Sequence, residues 1–236
     1  MSAAPVIAID GPSGAGKGTV SRAVARALGW SLLDSGALYR LVALAGRRAG
    51  VDLTDGEALA RLAAALDIRF GATAEGEEIV WLDGQDVTRS IRTEGAGNDA
   101  SKVAALGAVR AALLERQRRF AVPPGLVADG RDMGTVVFPD APIKIYLTAS
   151  AGERAARRHK QLKEQGVTAN LAALSLEIAE RDRRDETRAE SPLVASADAV
   201  LIDTTAVPAA AVVETILQMA RQRWGVLGAA FKDRMP

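Results

Sequence analysis

Residues 6–28 constrain the fold of this chain most, because they combine a strand, a glycine-rich turn and a helix. The apolar run VIAI at residues 6–9 predicts a short buried strand. A turn with the sequence GPSGAG follows at residues 11–16, and Lys17 comes directly after it. From Val20 onward the apolar residues recur at helical spacing. A strand, a glycine-rich loop and a helix in this order are typical of a phosphate-binding loop.

Each part of this segment has a physical role in holding an anion. Glycines let successive backbone N–H groups turn toward an anion without interference from a Cβ atom. The helix N-terminus adds partial positive charge, and Lys17 adds a mobile charge for the β- and γ-phosphates. The match to G-x-x-x-x-G-K-[ST] is imperfect, because Gly18 stands at the hydroxyl position and Thr19 comes one residue later. The predicted nucleoside triphosphate site comprises Gly11, Pro12, Ser13, Gly14, Ala15, Gly16, Lys17, Gly18 and Thr19.

Composition excludes several classes of chemistry. The chain of 236 residues has no cysteine, so disulfides, thiolate metal sites and cysteine nucleophiles are excluded. Its single histidine, His159, excludes clusters of histidine ligands. No segment approaches the roughly 18 consecutive apolar residues of a membrane span, and the N-terminus lacks a secretory signal pattern. Together these features predict a cytoplasmic enzyme. A net charge of +1 does not favour binding of nucleic acid.

Short apolar runs separated by helical segments predict an α/β fold with a central parallel sheet. Such near-continuous apolar strands suit a three-layer sandwich, in which helices cover both faces of the sheet. Several of the runs end in aspartate, and in such sheets ligands bind at the carboxyl ends of the strands. The predicted strands are residues 6–9, 31–34, 126–129, 143–148 and 199–203.

One region departs from this alternation of strands and helices. Three short runs within residues 68–87 predict small antiparallel strands, and the dipeptide Asp-Gly at 83–84 is a strong hairpin signal. Before them, Thr54 and Glu57 resemble a capping box that opens a helix. We interpret residues 51–100, approximately, as an insertion on the parallel sheet.

Two polar motifs follow predicted strands and supply candidate phosphate and metal contacts. Ser35 and Arg40 could together hold a phosphate, although taken alone the motif is more simply a helix cap and a surface arginine. Asp129 stands where phosphate-loop proteins carry the acidic residue that holds Mg²⁺ or its waters. Arg131 and Asp132 come next, and they either bind substrate or pair with each other.

A third motif, ERDRRDETR at residues 180–188, places charged residues on one helix face. Arg181, Arg184, Asp185 and Arg188 differ in position by three, four and seven, which is the spacing of one face. Cations with one acid on a single stripe suit a nucleotide phosphate plus a sugar hydroxyl. A solvated face with internal ion pairs explains the same pattern.

A fourth cluster, Arg154, Arg157 and Arg158, also shares a helix face. No obvious row of acidic partners accompanies these arginines. They predict either a plain charged amphipathic helix or a mobile lid over ATP that becomes ordered when nucleotide binds.

Together these motifs resemble those of the bacterial cytidylate (CMP) kinases. The resemblance covers nearly the whole chain and includes the strings GPSGAGKGT, DSGALYR, NDASKVA, ADGRDMGTVVFPDAP and ERDRRDETR. Nucleoside monophosphate kinases generally carry the form GKGT, so Gly18 fits the family. The resemblance implies one P-loop kinase domain over residues 1–236. It also implies a monophosphate-binding region at 35–105, which contains the antiparallel sheet, and a short helical lid at 150–168.

The resemblance further implies roles for individual residues. For CMP, it implies that Ser35, Arg40 and Arg131 hold the phosphate, that Ser101, Arg110, Asp132 and Arg188 surround the cytosine, and that Asp185 meets the ribose. It places Arg181 near the transferring phosphoryl group, and Arg157 and Arg158 near ATP. The catalytic set is then Lys17, Arg131, Arg181 and Asp129. Mg²⁺ is carried by ATP rather than by a protein cage, with waters joining it to Asp129.

The implied reaction is transfer of the γ-phosphoryl group of ATP to CMP, and to dCMP, by a monomer without nucleic-acid or membrane partners. Two other functions stay open. Another small P-loop kinase, of the UMP or shikimate type, needs a different acceptor pocket. A nucleotide-dependent switch or nucleic-acid-dependent ATPase needs a basic face, which the balanced charge does not favour.

Overall fold

A computed structural model of the chain describes residues 4–73, 78–164, 166 and 168–225. The chain divides into two compact units. One comprises the residues up to Asp34 together with those from Gln117 onward, and the other comprises Ser35–Arg116. The second unit includes all of the predicted monophosphate-binding region, 35–105, whose role stays a prediction.

The strands are β1 (Val6–Asp10), β2 (Ser31–Asp34), β3 (Ile68–Ala72), β4 (Glu78–Leu82), β5 (Gln85–Asp86), β6 (Leu126–Asp129), β7 (Ile143–Thr148) and β8 (Val200–Asp203). The helices are α1 (Lys17–Leu28), α2 (Ser35–Arg48), α3 (Gly56–Ala65), α4 (Glu94–Val103), α5 (Gly107–Arg118), α6 (Ala151–Glu164), α7 (Leu171–Thr187) and α8 (Ala209–Trp224). A 3₁₀ turn spans Ser90–Arg92, and a π-helical turn spans Met133–Val137. Among the described helices, none combines the length and the apolar character needed to cross a membrane.

The first unit is built on a five-stranded parallel sheet with the order β2-β6-β1-β7-β8. This confirms the predicted α/β fold with a central parallel sheet. The strand register aligns the carboxyl ends, because Asp34 lies opposite Asp129 and Asp10 lies opposite Tyr146. The aspartates that end these strands therefore come to one edge of the sheet, where ligands bind in folds of this class.

Helices α1 and α8 cover one face of this sheet. All five residues of β1 are buried, as expected for a central strand with two covered faces. On the opposite face, the turn Met133–Val137 packs against β1. The main core joins three strands to the two helices through Ile7, Ile9, Val20, Val24, Val127, Ile143, Ile145, Leu147, Val212, Ile216, Leu217 and Ala220.

The second unit contains the antiparallel sheet β3-β4-β5, which confirms the predicted antiparallel strands and the hairpin at Asp83-Gly84. Asp83 and Gly84 connect β4 to β5, and both have positive φ, at 50° and 76°. A two-residue hairpin turn with two positive φ angles favours Asp-Gly, so the sequence signal has a local physical cause.

The predicted capping box at Thr54 is wrong by one residue. Asp55 is the N-cap of α3, and its side chain accepts a hydrogen bond from the Ala58 N–H at 2.9 Å. The Thr54 hydroxyl donates instead to Asp52 Oδ1 at 2.9 Å. Asp52 holds Thr54 in a local turn before the helix, and this leaves Asp55 to satisfy the first helical N–H groups.

Candidate active site

The phosphate loop has the backbone that its sequence predicts. It links β1 to α1, which begins at Lys17. Gly16 has φ at +92°, a value that residues with a side chain rarely adopt. Gly11 approaches Leu147 so closely that a Cβ atom on it would lie 2.0 Å from the Leu147 carbonyl oxygen. At these two positions the loop therefore requires glycine.

Lys17 is buried in the loop, and its Nζ donates to the Pro12 carbonyl oxygen at 2.8 Å. Burial is the main cause that lowers the pKa of Lys17 to about 7, and the positive charge of Arg131 contributes in the same direction, while Asp129 opposes the shift. The amine is thus partly neutral near pH 7 when no anion is present. A polyphosphate in the loop restores the charge, since a nearby anion favours the ammonium form.

Asp10, at the end of β1, is a buried residue of the site that no sequence motif predicted. Its two carboxylate oxygens accept the Met133 and Gly134 N–H groups, both at 2.8 Å. Burial raises the pKa of Asp10 to about 6. The carboxylate anchors the turn that follows Asp132. A polar residue at the end of an otherwise apolar strand was the available signal.

Asp129 lies beside the loop and is half-buried. Burial raises its pKa to about 6, although the positive charge of Lys17 opposes the shift. Its Oδ2 atom would lie 3.6 Å from a Cβ atom added at Gly18, so the carboxylate faces the start of α1. Carboxylate oxygen suits Mg²⁺, and this position fits contact with a metal that ATP carries.

Arg131 forms an ion pair with Asp185, from Nε to Oδ2 at 3.0 Å. Arg131 therefore pairs with a residue 54 positions away in the sequence, and not with its neighbour Asp132. Burial alone would raise the pKa of Asp185, but Arg131 and Arg181 outweigh it and lower the pKa. The pair joins the segment after β6 to α7 and keeps the carboxylate ionised.

The predicted stripe on α7 is only partly retained. Arg184 pairs with the exposed Glu180 at 2.6 Å, as in the alternative of a solvated face. Arg188 lies one residue beyond the end of α7, and its Nε donates to the Ser191 carbonyl oxygen. Asp185, in contrast, is buried with Arg131.

The three arginines of the cluster on α6 have different surroundings and partners. Arg154 is buried and holds the loop: it donates to the Ser13 carbonyl oxygen at 3.1 Å and pairs with Asp182 at 2.7 Å. Arg157 pairs with Glu153, one turn earlier on the same helix, at 2.8 Å. Arg158 donates to Gln161 at 2.7 Å. Residues 165 and 167 of the predicted lid lie outside the described residues.

Four predicted CMP contacts belong to the second unit. Ser35 is buried as the first residue of α2, so it begins that helix rather than capping it. Arg40 is half-buried on α2, and Ser101 is buried on α4. Arg110, on α5, lies over the Tyr39 ring at 5.7 Å and donates to the Ala104 carbonyl oxygen. Their binding roles stay predictions.

Comparison with known proteins places this chain in a family. The family model described as cytidylate kinase matches residues 7–222. A cytidylate kinase from Pseudomonas aeruginosa (strain LESB58) is 60% identical over 227 residues, which covers 95% of this chain and 99% of that protein. One from Azotobacter vinelandii is 59% identical over 220 residues, with coverage of 92% and 96%.

A solved shikimate kinase from Acinetobacter baumannii is 18% identical and covers 94% of this chain and 95% of its own, with a TM-score of 0.44. That similarity is too weak to add to the assignment. The family model and the relatives suffice: the chain belongs to the cytidylate kinase family.

Proposed function

We propose that this protein transfers the γ-phosphoryl group of ATP to CMP, giving CDP and ADP. The observation that carries the proposal is the cluster of Lys17, Asp129 and Arg131 beside a phosphate loop. It occurs in a chain 60% identical to a protein named cytidylate kinase. The same identity disfavours the UMP-type and shikimate-type alternatives and the ATPase.

The reaction needs little from side chains beyond position and charge. The second pKa of a phosphate monoester is about 6, so CMP offers an ionised oxygen as nucleophile and needs no general base. Two anions must come together, and this requires cations between them. We assign that role to Lys17, Arg131 and Arg181. Electrostatic interactions link them already, since Arg131 and Arg181 both act on the pKa of Lys17.

Mg²⁺, when it is bound with ATP, neutralises charge on the phosphates and orients them. We propose that ATP carries the ion and that Asp129 reaches it through waters. The position of the Asp129 carboxylate beside Gly18 supports this proposal.

The acceptor contacts are proposed residue by residue. Cytosine is assigned to Asp132 and Arg188 together with Ser101 and Arg110, and the ribose is assigned to Asp185. The phosphate of CMP is assigned to Ser35, Arg40 and Arg131. Arg157 and Arg158 are assigned to contacts with ATP. We extend the acceptors to dCMP, and we propose a cytoplasmic monomer that acts without nucleic acid or membrane.

Release of ADP from Mg-ATP in the presence of a panel of acceptors tests the function. We expect rapid ADP release with CMP, slower release with UMP, and release at the background rate with AMP or shikimate. A different preferred acceptor would replace the proposal. ADP release that needs a macromolecule and no acceptor would favour the ATPase.

Substitution of Lys17 tests the phosphate loop. Loss of a preorganised charge at the transferred phosphate costs on the order of 10²-fold in kcat, so Lys17→Ala should lose at least that much. The KM for CMP should stay within about twofold, because the lysine contacts the donor rather than the acceptor. Steady-state ADP release measures both constants. Arg223→Ala, at an exposed arginine on α8, is the control, and a wild-type kcat in Lys17→Ala would contradict the assignment.

A further inference from the structure

Thr204, the residue directly after β8, is buried between the phosphate loop and β7. Its hydroxyl lies 3.1 Å from the Ala15 carbonyl oxygen and 3.0 Å from the Thr148 carbonyl oxygen. The Thr204 N–H also donates to the Thr148 carbonyl oxygen, at 2.8 Å. The Thr148 carbonyl oxygen therefore already accepts a backbone N–H, and the hydroxyl has only one proton to donate. The Ala15 carbonyl oxygen in the loop is the acceptor that needs this proton more.

The same threonine holds Arg157 from α6. Arg157 Nη1 donates to the Thr204 hydroxyl at 3.0 Å, and Nη2 donates to the Thr204 carbonyl oxygen. The Nε of Arg157 donates to Glu153 at 2.8 Å. A guanidinium has five N–H donors, and these bonds use one on each nitrogen. The second N–H on Nη1 and on Nη2 can therefore serve a phosphate oxygen.

These bonds bring the guanidinium to the phosphate loop. Arg157 Nη1 would lie 3.9 Å from a Cβ atom added at Gly16, so the cation stands next to the loop glycines. The base of α6 is fixed there as well, because Arg154 donates to the Ser13 carbonyl oxygen. The start of α6 is thus tied to the loop at two points.

We propose that Thr204 is a positioning residue, whose hydroxyl relays from the Ala15 carbonyl to Arg157 and holds that cation at the phosphate loop before ATP arrives. The inference rests on the proposed function in one respect, that Arg157 contacts the phosphates of ATP. A cation held in place loses less conformational entropy on binding than a free arginine does. Thr204 thereby strengthens binding of ATP without touching it.

Thr204→Val tests the relay, because valine keeps the shape and removes the hydroxyl. Binding of a non-hydrolysable ATP analogue, measured by calorimetry without CMP, should weaken by at least about tenfold, the effect of one lost bond to a charged group. Thr204→Ser keeps the hydroxyl and should stay within about threefold of wild type. In turnover, the KM for ATP should rise while the KM for CMP is unchanged. Wild-type affinity in Thr204→Val would overturn the proposal.

Two controls separate positioning from general damage. Thr215→Val removes an exposed hydroxyl on α8, which donates to the Ala211 carbonyl oxygen, and should bind the analogue as wild type does. In an Arg157→Ala background, Thr204→Val should weaken binding by less than about twofold further, because the residue that it positions is gone. An undiminished effect there would overturn the proposal.

A measurement on the wild-type protein covers the case in which Thr204→Val does not fold. The Arg157 Nη–H protons that donate to Thr204, identified by nuclear magnetic resonance through their loss in Arg157→Ala, should exchange slowly with water without nucleotide. Fast exchange would overturn the inference. Failure of the proposed function would differ, since it would remove CMP turnover and leave the Thr204 effect on analogue binding intact.

Discussion

At the scale of residues, the burial of charged side chains governs the chemistry of this protein. Lys17 and Asp129 are titratable groups whose pKa values have moved toward neutrality, to about 7 and about 6. Burial is the main cause of both shifts, because it disfavours the charged form of either group. Binding of a polyanion is therefore coupled to the proton on Lys17, and this coupling is measurable.

Binding of ATP should take up a proton at Lys17. In the nucleotide-free protein, Lys17 has a pKa of about 7, and the phosphates of bound ATP raise this pKa. At pH 8 the ATP-bound protein therefore holds more protons than the nucleotide-free protein. The affinity for ATP should fall as pH rises above 7, by up to about tenfold per pH unit. Calorimetry at pH 8 in two buffers of different ionisation enthalpy counts the proton. Lys17→Met should show none, and absence of uptake in the wild type would contradict the shift.

Asp132 should determine the choice of base. It is buried, and a carboxylate that accepts from N4 of cytosine would face the O4 carbonyl of uracil. Asp132→Asn can turn an N–H toward O4, so we expect loss of CMP activity and a narrower preference over UMP. The measurement is kcat/KM for both acceptors, with the exposed Asp140→Asn as the control. An unchanged CMP-to-UMP ratio in a folded variant would place the base contact elsewhere.

At the scale of elements, short polar side chains decide where helices begin and how they join the sheet. Asp55 starts α3, and Asp10 holds the turn Met133–Val137. The Arg131–Asp185 pair attaches α7 to the segment after β6. Each of these contacts supplies a hydrogen-bond or ion-pair partner to a backbone or charged group.

The cap of α3 should separate Asp55 from its neighbour Thr54. Asp55→Ala removes the acceptor of the Ala58 N–H and should lower the free energy of unfolding by about 1 kcal/mol. Thr54→Ala removes only an exposed bond to Asp52 and should cost less than about 0.5 kcal/mol. Urea denaturation of both variants gives the comparison, and equal losses would contradict the assignment of the cap.

At the scale of the whole molecule, the buried charge of Asp10 lowers the free energy of unfolding. Its pKa rises from 3.8 to about 6 in the folded protein, so between these values the folded state binds more protons than the unfolded state. The contribution of Asp10 to stability therefore falls as pH rises through this window. The destabilisation by the charged carboxylate reaches its full size above pH 6 and is absent below pH 4.

Asp10→Asn should remove this pH dependence. The free energy of unfolding of the variant relative to wild type should increase by roughly 3 kcal/mol from pH 4 to pH 7, whatever its offset at pH 4. Urea denaturation at four pH values between these limits measures the difference. A difference that stays constant with pH would show that the carboxyl is not buried as described.

The predictable parts of the fold are those with local physical causes. The strands at 31–34, 126–129 and 143–148 have the predicted bounds, because a buried parallel strand reads as a continuous apolar run. The hairpin at Asp83-Gly84 and the phosphate loop were predictable for the same reason, since positive φ angles leave few residue choices. Where two local signals competed, as at Thr54 and Asp55, the prediction was wrong by one residue.

The sequence by itself determined the chain's family, its strands and the loop that receives an anion. Only the tertiary structure decided which charges meet. Arg131 pairs with Asp185 rather than with its neighbour, and Arg157 is held by Thr204. The physical reason is that backbone preferences act between adjacent residues, whereas ion pairs and buried hydrogen bonds form through space, wherever the packed sheet brings groups together. Arg154 and Arg157 lie on the same face of α6, and yet they differ in role. Arg154 is buried and donates to the Ser13 carbonyl oxygen, whereas Arg157 is held beside the phosphate loop by Thr204.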